Sequence, residues 1–431
     1  MVSVPEKIRE KYKIYNSEIE RSKIKFVQRY KAGKYFALMK LIKSDFKLSK
    51  KDAFKDFDAF KFAIDNLYCG KPFHEFNGVN FEECYTEIEK FINNTSQITA
   101  LSLCNAYAEA FENKFTDNHF GFYVPTDKNN KIRKIASRCF MPFFCGITVE
   151  KKNDDFYVVE TENNSVKIGD KIEDNGCMFR TFPINGNERY LVGCRSWNKI
   201  NSIDIICNRN IITVPVHLCR SGEKEKDDIV FSHRNINKYD IIRSNTFSSY
   251  SDKTTTHETK AIGNNLKKSN TIIMDLRHNY GGNSVYSYAF FEALNGYCVN
   301  PYTVCSLMTP YHRKKFRKKE WIITESERVD LSKAEYKGSF IVLTDYHCAS
   351  SAEETVNFTK SLKNCIRVGT NTLGCNCYTN LYVAFLPKTH MAIYLPNTAI
   401  MDMFEEGKGF EPDYWIDSDD PIDEIINWLQ D

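Results

Sequence analysis

The chain has 431 residues, of which 42% are hydrophobic and 27% charged, a composition that excludes disordered and fibrous proteins. A chain of this length exceeds the size at which one core stops growing, so two or three domains are expected. The 59 basic and 56 acidic residues leave a net charge of +3, which predicts no binding of nucleic acid or membrane through net charge.

The fifteen cysteines are odd in number and form no CxxC pair, so the sequence predicts reduced thiols and no zinc ribbon. The start, MVSVPEKIREKYK, lacks the apolar core of a signal peptide. No run approaches the roughly 18 apolar residues of a membrane span. These features predict a cytoplasmic protein, although a processed, exported chain could show the same start.

Residues 1–115 are predicted to form a helical N-terminal domain. Apolar residues recur there at helical spacing in two stretches, Phe36, Met39 and Ile42, then Phe81, Tyr85, Ile88 and Phe91. The pattern becomes aromatic and strand-like at FTDNHFGFYV. Residues 116–137 are therefore a connecting segment, and this segment carries His119.

Residues 138–222 are predicted to form a small β-rich module. Short alternating runs, GITVE, FYVVE and IITVPVHL, are separated by turn sequences such as KNDD and DNG. From 223 to 431, strand-like runs such as TIIMDLR and SFIVLTD alternate with helical segments. That alternation is typical of a layered α/β core, so the fold class is α+β with several domains.

The segment IIMDLRHNYGGNS places a buried strand before the Gly281-Gly282 turn and a following helix. In such a turn, backbone N–H groups can face an anion, which makes the glycines candidates for an oxyanion hole. A plain strand-to-helix turn is the alternative interpretation.

A second strand, FIVLTD, leads into YHCASSAEE, which places Ser350 and Ser351 at the start of a helix. Ser350 could simply cap that helix, with Glu353 completing a capping box. Two strand-loop-helix sites in one α/β domain favour a nucleophile, because acyl transfer needs a nucleophile next to paired amides.

The glycine segment DLRHNYGG resembles the DLRxNxGG signature of the C-terminal-processing (tail-specific) and tricorn-core serine peptidases. SSAE resembles the family's nucleophile segment, NTLG its xTxG motif and EGKGFEPD its ExxGxxPD motif. The resemblance implies a serine peptidase with a crotonase/ClpP-like catalytic core at 223–431, a PDZ-like domain at 138–222 and peptide or protein substrates.

The family has two catalytic designs. In one, a lysine 25 positions after the serine is the base, but that position is Cys375 here, and a thiol cannot shuttle the proton as a lysine does. In the tricorn-like design, the base is a histidine ahead of the core, oriented by a glutamate of ExxGxxPD. His119 and Glu406 match these positions. The implied catalytic residues are Ser350, His119 and Glu406, and this mechanism needs no metal and no cofactor.

Further site residues follow from the same resemblance. Asn118 stands where the tricorn-like pattern has a serine, and we expect it to orient the histidine. The oxyanion would be held by the N–H of Ser351 and that of Gly281 or Gly282.

Three residues near the motifs have no role in the family pattern. His278 lies within the glycine motif and His347 lies three residues before Ser350, so both are expected to line the pocket. Cys348 would be the nucleophile only if the motif register were shifted.

Three alternatives stay open. His119 could be an ordinary core or turn histidine, and Glu406 a solvated loop residue. The fold could serve a non-catalytic protein that binds peptides or apolar ligands. The basic run Arg313–Lys319 could dock a polyanion in a scaffold protein, although such runs are usually solvated surface. The sequence does not indicate the oligomeric state.

Overall fold

A computed structural model describes residues 3–24, 45–124, 131–248 and 255–430. The helical pattern around Phe36, Met39 and Ile42 lies outside the described residues. None of the described helices is both long and apolar enough to cross a bilayer. No disulfide bond joins the cysteines of the described residues.

The chain divides into two compact units, each assembled from separated stretches. The first unit comprises residues 1–138, 302–327 and 375–407. The second comprises residues 139–301, 328–374 and 408–431. His119 and Glu406 therefore belong to the first unit, whereas Ser350 and both motif glycines belong to the second.

The first unit contains the helices that the N-terminal pattern predicts. They are α1 (Val4–Tyr12), α2 (Arg21–Ile24), α3 (Lys50–Leu67), α4 (Lys71–Phe76), α5 (Phe81–Asn94) and α6 (Ala100–Phe111). Ser49 caps α3 by accepting the N–H of Asp52, and Thr99 forms a capping box with Ser102 at the start of α6. The apolar faces of α3, α5 and α6 form one aromatic-rich core.

The first unit also holds an antiparallel sheet. Its strands are β3 (Asp117–Val124), β4 (Lys131–Ala136), β16 (Thr303–Met308), β17 (Glu320–Thr324), β20 (Tyr378–Phe385) and β21 (Ala392–Met401). A separate two-stranded sheet consists of β1 (Lys47–Leu48) and β2 (Ile98–Thr99). The strand order is β17-β16-β21-β3-β4, and β20 also pairs with β21. His119 lies on β3, which pairs with β21, and β21 is the strand that precedes Glu406 in the chain.

Residues 141–218 of the second unit form an eight-stranded sheet with the order β11-β10-β7-β6-β5-β9-β8, in which β12 pairs with β5. Its strands are β5 (Met141–Lys152), β6 (Asp155–Thr161), β7 (Lys171–Ile172), β8 (Met178–Ile184), β9 (Asn187–Ser196), β10 (Ser202–Cys207), β11 (Asn210–Pro215) and β12 (His217–Leu218). The β-rich character agrees with the sequence pattern, and the PDZ-like assignment stays a prediction.

The second unit also contains a mainly parallel sheet of order β13-β14-β15-β18-β19-β22. Its strands are β13 (Ser232–Ile236), β14 (Tyr239–Arg243), β15 (Thr271–Asp275), β18 (Ser339–Thr344), β19 (Cys365–Gly369) and β22 (Tyr414–Trp415), and its helices are α7 (Thr256–Asn265), α8 (Val285–Asn295), α9 (Ser351–Phe358) and α10 (Pro421–Trp428). The mixed α/β, multidomain architecture is thus confirmed, and the crotonase-like assignment stays a prediction.

The pairing of β15 with β18 positions the two motif loops. These strands run parallel in a register that places Asp275 opposite Leu343. Because parallel strands end at the same edge of a sheet, the loop after β15 and the loop after β18 lie next to each other. The first loop carries the two glycines and the second carries Ser350.

Candidate active site

Ser350 precedes α9 in an unusual backbone conformation, with φ 55° and ψ −118°. The capping residues Ser49, Thr99 and Thr255 of other helices are extended, with ψ between 153° and 163°. Ordinary caps have that extended conformation, whereas non-glycine residues with positive φ are strained and concentrate at functional sites. The backbone of Ser350 therefore differs from that of a simple cap.

Glu353 holds this strained turn in place. Its buried carboxylate accepts the Ser350 N–H at 3.0 Å through Oε2. Its other oxygen, Oε1, accepts the Thr372 hydroxyl at 2.6 Å and the Gly374 N–H at 2.7 Å. The NTLG motif and the serine segment are thereby joined through one side chain.

Gly281 packs directly against the serine turn. Its φ is 92°, and a Cβ built on it would lie 2.7 Å from Ala349 O, 2.8 Å from Ser350 Cβ and 2.9 Å from Ser351 N. Any side chain at this position would fill the space next to the Ser351 amide. This close approach explains why the motif needs glycine here.

The two glycines differ in what their amides do. Gly281 donates its N–H to Asn279 Oδ1 at 2.9 Å. Within the described part of the chain, the Gly282 N–H has no hydrogen-bond acceptor, and the Gly282 carbonyl accepts the Ser351 hydroxyl at 3.0 Å. Gly282 is therefore the better candidate for an oxyanion donor.

The charged residues of the DLRHN segment support the loop. Arg277 donates to the buried carboxylate of Asp275 at 2.9 and 2.7 Å. Burial opposes ionisation of Asp275, but the Arg277 hydrogen bonds and the charges of Arg243 and Arg277 prevail and lower its pKa. The motif aspartate and arginine thus act as a framework for the glycine turn.

His278, His347 and Cys348 also lie in these two loops. The His278 and His347 rings are 5.1 Å apart, and burial lowers the pKa of His347. The buried Cys348 thiol donates to Leu276 O at 2.9 Å, and burial raises its pKa well above the ordinary value. A thiol in that state is a poor nucleophile, so the geometry favours Ser350 over Cys348.

In the first unit, Asp117 fixes the backbone at His119. The Oδ1 atom of this buried aspartate accepts the N–H of His119 at 2.9 Å and that of Phe120 at 3.0 Å. Its Oδ2 accepts the Tyr68 hydroxyl at 2.6 Å, and the Tyr68 oxygen lies 2.8 Å from His74 Nε2. Because the tyrosine has one proton and donates it to Asp117, His74 Nε2 must be the donor to Tyr68.

Glu406 and Asn118 contact the same strand. Glu406 is only 8% exposed, so the alternative of a solvated loop residue is wrong. Its carboxylate accepts the backbone N–H of Asn118 at 2.9 Å and that of Cys377 at 2.8 Å. The Asn118 amide oxygen accepts the Arg138 N–H at 2.9 Å. Both residues therefore anchor the backbone next to His119.

Cys375 is a neighbour of His119 that the sequence did not reveal. Its Sγ lies 3.4 Å from His119 Nδ1 and 3.7 Å from Nε2. The signal available in the sequence was position, since Cys375 stands 25 residues after Ser350, where one branch of the resembled family has its base.

The predicted site residues thus form two groups. In the second unit, the serine turn meets the glycine turn, with Ser350, Ser351, Gly281 and Gly282. In the first unit, His119 lies among Asn118, Glu406 and Cys375. A strained serine next to open amides can perform acyl transfer when an imidazole serves it as base.

Residues 238–416 match the family model described as peptidase family S41. The chain contains a serine peptidase domain of family S41. The S41 match includes Ser350, both glycines and Glu406, whereas His119 precedes it in the sequence. No curated protein sequence matches the chain significantly.

Several solved structures are similar to the chain at low identity. Mature CPAF complexed with lactacystin is 12% identical, with coverage of 85% of this chain and 94% of that chain and a TM-score of 0.48. The photosystem II D1 C-terminal processing protease is 11% identical, with coverage of 86% and 94% and a TM-score of 0.40. The tricorn protease is 14% identical, with coverage of 88% and 36% and a TM-score of 0.41. At this similarity they assign no residues here.

Proposed function

We propose that the S41 domain hydrolyses peptide bonds through an acyl-enzyme on Ser350, with His119 as general base. The observation that carries the proposal is the contact between the strained Ser350 turn and Gly281, whose missing side chain leaves room in front of the Ser351 amide. The S41 match supports peptide or protein substrates.

The reaction uses each group at a defined atom. Ser350 Oγ attacks the peptide carbonyl carbon while the imidazole of His119 takes the hydroxyl proton. The N–H groups of Ser351 and Gly282 stabilise the oxyanion, and losing one such donor typically costs about 3 kcal/mol of transition-state stabilisation. The imidazolium then protonates the leaving amine, and water attacks the acyl-enzyme with the same base to release the product and restore Ser350.

His119 is proposed as base because a neutral imidazole is the side chain best suited to accept a proton at neutral pH. Glu406, Asp117 and Asn118 support it indirectly, since their contacts fix the backbone of β3 around it. In this proposal Glu406 is a positioning residue. The reaction requires the imidazole to come within about 3 Å of Ser350 Oγ in the reacting complex.

A fluorophosphonate probe tests the nucleophile on the full chain. We expect covalent labelling of the wild type and its loss in Ser350→Ala, together with loss of cleavage of quenched fluorescent casein. Ser49→Ala is the matched control, because Ser49 is an ordinary helix cap. His119→Gln should slow labelling strongly while Ser350 stays in place.

The outcomes separate the candidate functions. Labelling and cleavage that persist in Ser350→Ala would overturn the assignment of the nucleophile. A folded wild type that neither reacts with the probe nor cleaves casein would instead be the non-catalytic binding protein considered from the sequence. Normal activity in His119→Gln would refute His119 as the base but leave the assignment of Ser350 as the nucleophile intact.

We further propose that the eight-stranded sheet guides substrates, as the PDZ-like resemblance implies. Strand β11 lies at the edge of this sheet, and its Ile211 is 74% exposed. An exposed edge strand can pair with an extended peptide. Fluorescence anisotropy with peptides that have a free or an amidated C-terminus tests this proposed binding. We expect Ile211→Asp to weaken the binding. Ile184→Asp is the control, because Ile184 lies on β8, the opposite edge strand. A protein that binds no such peptide would refute the idea.

A further inference from the structure

Three side chains in the two motif loops converge on one point. His278, Asp345 and His347 each offer a nitrogen or oxygen atom within 4.8 Å of the atoms offered by the other two. His278 belongs to the loop after β15, and the other two residues belong to the loop after β18. The proposed peptidase chemistry uses none of them.

His278 and Asp345 are in close contact, yet the Asp345 atom in this contact makes no hydrogen bond among the described residues. His278 Nδ1 lies 3.2 Å from Asp345 Oδ2. Asp345 is fully buried, yet its Oδ2 has no hydrogen-bond partner among the described residues. A buried carboxylate oxygen without a partner is costly, and such a group in a native structure calls for an explanation.

The contact of the other ring nitrogen, Nε2, determines whether Nδ1 of a neutral His278 can donate a hydrogen bond to Asp345. His278 Nε2 lies 3.3 Å from the Gly222 carbonyl oxygen, which can only accept a hydrogen bond. Nε2 therefore carries the proton, and in the neutral ring Nδ1 presents a lone pair. Two acceptors, Nδ1 and the carboxylate oxygen, then face each other. A cation between them would relieve the conflict.

The spacing fits two ligands of one metal ion. With metal–ligand bonds of about 2.1 Å, neighbouring ligand atoms lie about 3.0 to 3.4 Å apart in octahedral or tetrahedral geometry. The observed 3.2 Å between Nδ1 and Oδ2 falls within that interval. The hydrogen bond from Nε2 to a carbonyl is also the usual way in which a ligating histidine is oriented.

The carboxylate and the third ligand are also held by neighbours. Asp345 Oδ1 accepts the backbone N–H of His278 at 3.0 Å and that of His347 at 3.1 Å, which leaves Oδ2 for the cation. His347 Nδ1 lies 3.2 Å from the Tyr280 hydroxyl. His347 is partly exposed, so water can complete the coordination. The nearby Lys224 is exposed, and solvent screens its charge.

We propose that His278, Asp345 and His347 bind one divalent transition-metal ion of the Zn²⁺ class. Two imidazoles and one carboxylate are ligands that such ions prefer over Mg²⁺ or Ca²⁺. The ion would join the loop that carries the glycine turn to the loop that carries Ser350. Its role is structural, because it stabilises the relative position of these two loops within the second unit.

The test measures metal binding and needs no peptidase activity. Full-length Ser350→Ala protein, freed of metal with a chelator, is titrated with Zn²⁺ by calorimetry and melted with and without Zn²⁺. We expect one equivalent to bind and Tm to rise by several degrees. His347→Ala and His278→Asn should each weaken binding at least about tenfold, which is typical of disturbed metal sites. Asn suits position 278 because φ is 59° there.

His257→Ala is the matched control, since this exposed histidine on α7 lies outside the cluster. The rival explanation is an imidazolium–carboxylate pair without metal, which predicts no Zn²⁺ response in the parent protein. That result, or equal binding by His347→Ala and the control, would overturn the proposal. Should His347→Ala unfold, visible absorption of Co²⁺ bound to the parent protein still reports whether histidines ligate it. Since the host lacks Ser350, failure here leaves the proposed peptidase function untouched.

Discussion

Glu353 Oε2 lies 3.0 Å from the backbone nitrogen of Ser350, three residues earlier in the chain. Among the described residues, Ser350 is the one helix-capping serine whose φ is positive. A strained backbone persists only when its surroundings over-determine it. The same carboxyl group also accepts hydrogen bonds from Thr372 and Gly374, so the conformation of the proposed nucleophile depends on a buried side chain that joins three donors.

Replacement of Glu353 by Gln should therefore damage both stability and activity. One carboxylate oxygen becomes an NH₂ group that must face an N–H or O–H donor, and an unsatisfied buried donor costs about 1 to 3 kcal/mol. We expect the free energy of unfolding in urea to fall by about that amount, with a larger proportional loss of fluorophosphonate labelling.

The control for this change is Glu109→Gln, which removes an exposed helix carboxylate. It should alter the free energy of unfolding by less than about 0.5 kcal/mol. Equal stability and labelling of Glu353→Gln and wild type would show that the carboxylate does not hold the serine turn.

Gly281→Ala should abolish labelling by filling the space next to the Ser351 amide. The new Cβ would lie within 2.7 to 2.9 Å of three atoms of the serine turn, in addition to the cost of a positive φ. Gly176→Ala is the matched control, because Gly176 has φ 90° and a Cβ added there would meet nothing within 4 Å. The control should lose about 1 kcal/mol of stability and retain labelling. Labelling of Gly281→Ala at the wild-type rate would show that the reaction does not need the space next to Gly281.

His74 gives the stability a defined pH dependence. Burial lowers the pKa of His74 to about 3 in the folded protein, against about 6.5 for an exposed histidine. The unfolded chain therefore binds one more proton between these values. This contribution to stability is constant above about pH 6.5 and falls by about 1.4 kcal/mol per pH unit as the pH drops towards 3.

Urea denaturation at several pH values checks this dependence, with His74→Gln for comparison. A glutamine amide can still donate to Tyr68, but it does not titrate. We expect a shallower loss of stability below pH 6.5 in the variant than in the wild type. Parallel curves for the two proteins would mean that His74 is not the titrating group.

The sequence predicted the places of Ser350 and Gly281 in the fold better than the surroundings of His119. Ser350 and Gly281 each follow a strand and precede a helix, and such local patterns fix their positions at one sheet edge. The contacts of Glu406 with Asn118 join residues 288 positions apart, and local periodicity carries no information about such pairs. The division of the chain into units of separated stretches was missed for the same reason.

Variants of Cys375 test whether His119 deprotonates Ser350 or Cys375. Its Sγ lies 3.4 Å from His119 Nδ1, a separation also suited to a Cys–His nucleophile pair. In our proposal the thiol only contacts the base, so Cys375→Ala should keep kcat/KM on quenched casein within about tenfold of wild type.

The two nucleophiles predict opposite patterns across the same variants. If Cys375 attacked the substrate, Cys375→Ala would lose all turnover, Ser350→Ala would keep it, and iodoacetamide would inactivate the wild type. If Ser350 attacks, the pattern reverses and fluorophosphonate inactivates instead. Cys139→Ala, a half-buried cysteine of the second unit, controls for the general effect of removing a thiol. Retained turnover in Cys375→Ala together with its loss in Ser350→Ala assigns the imidazole to the serine.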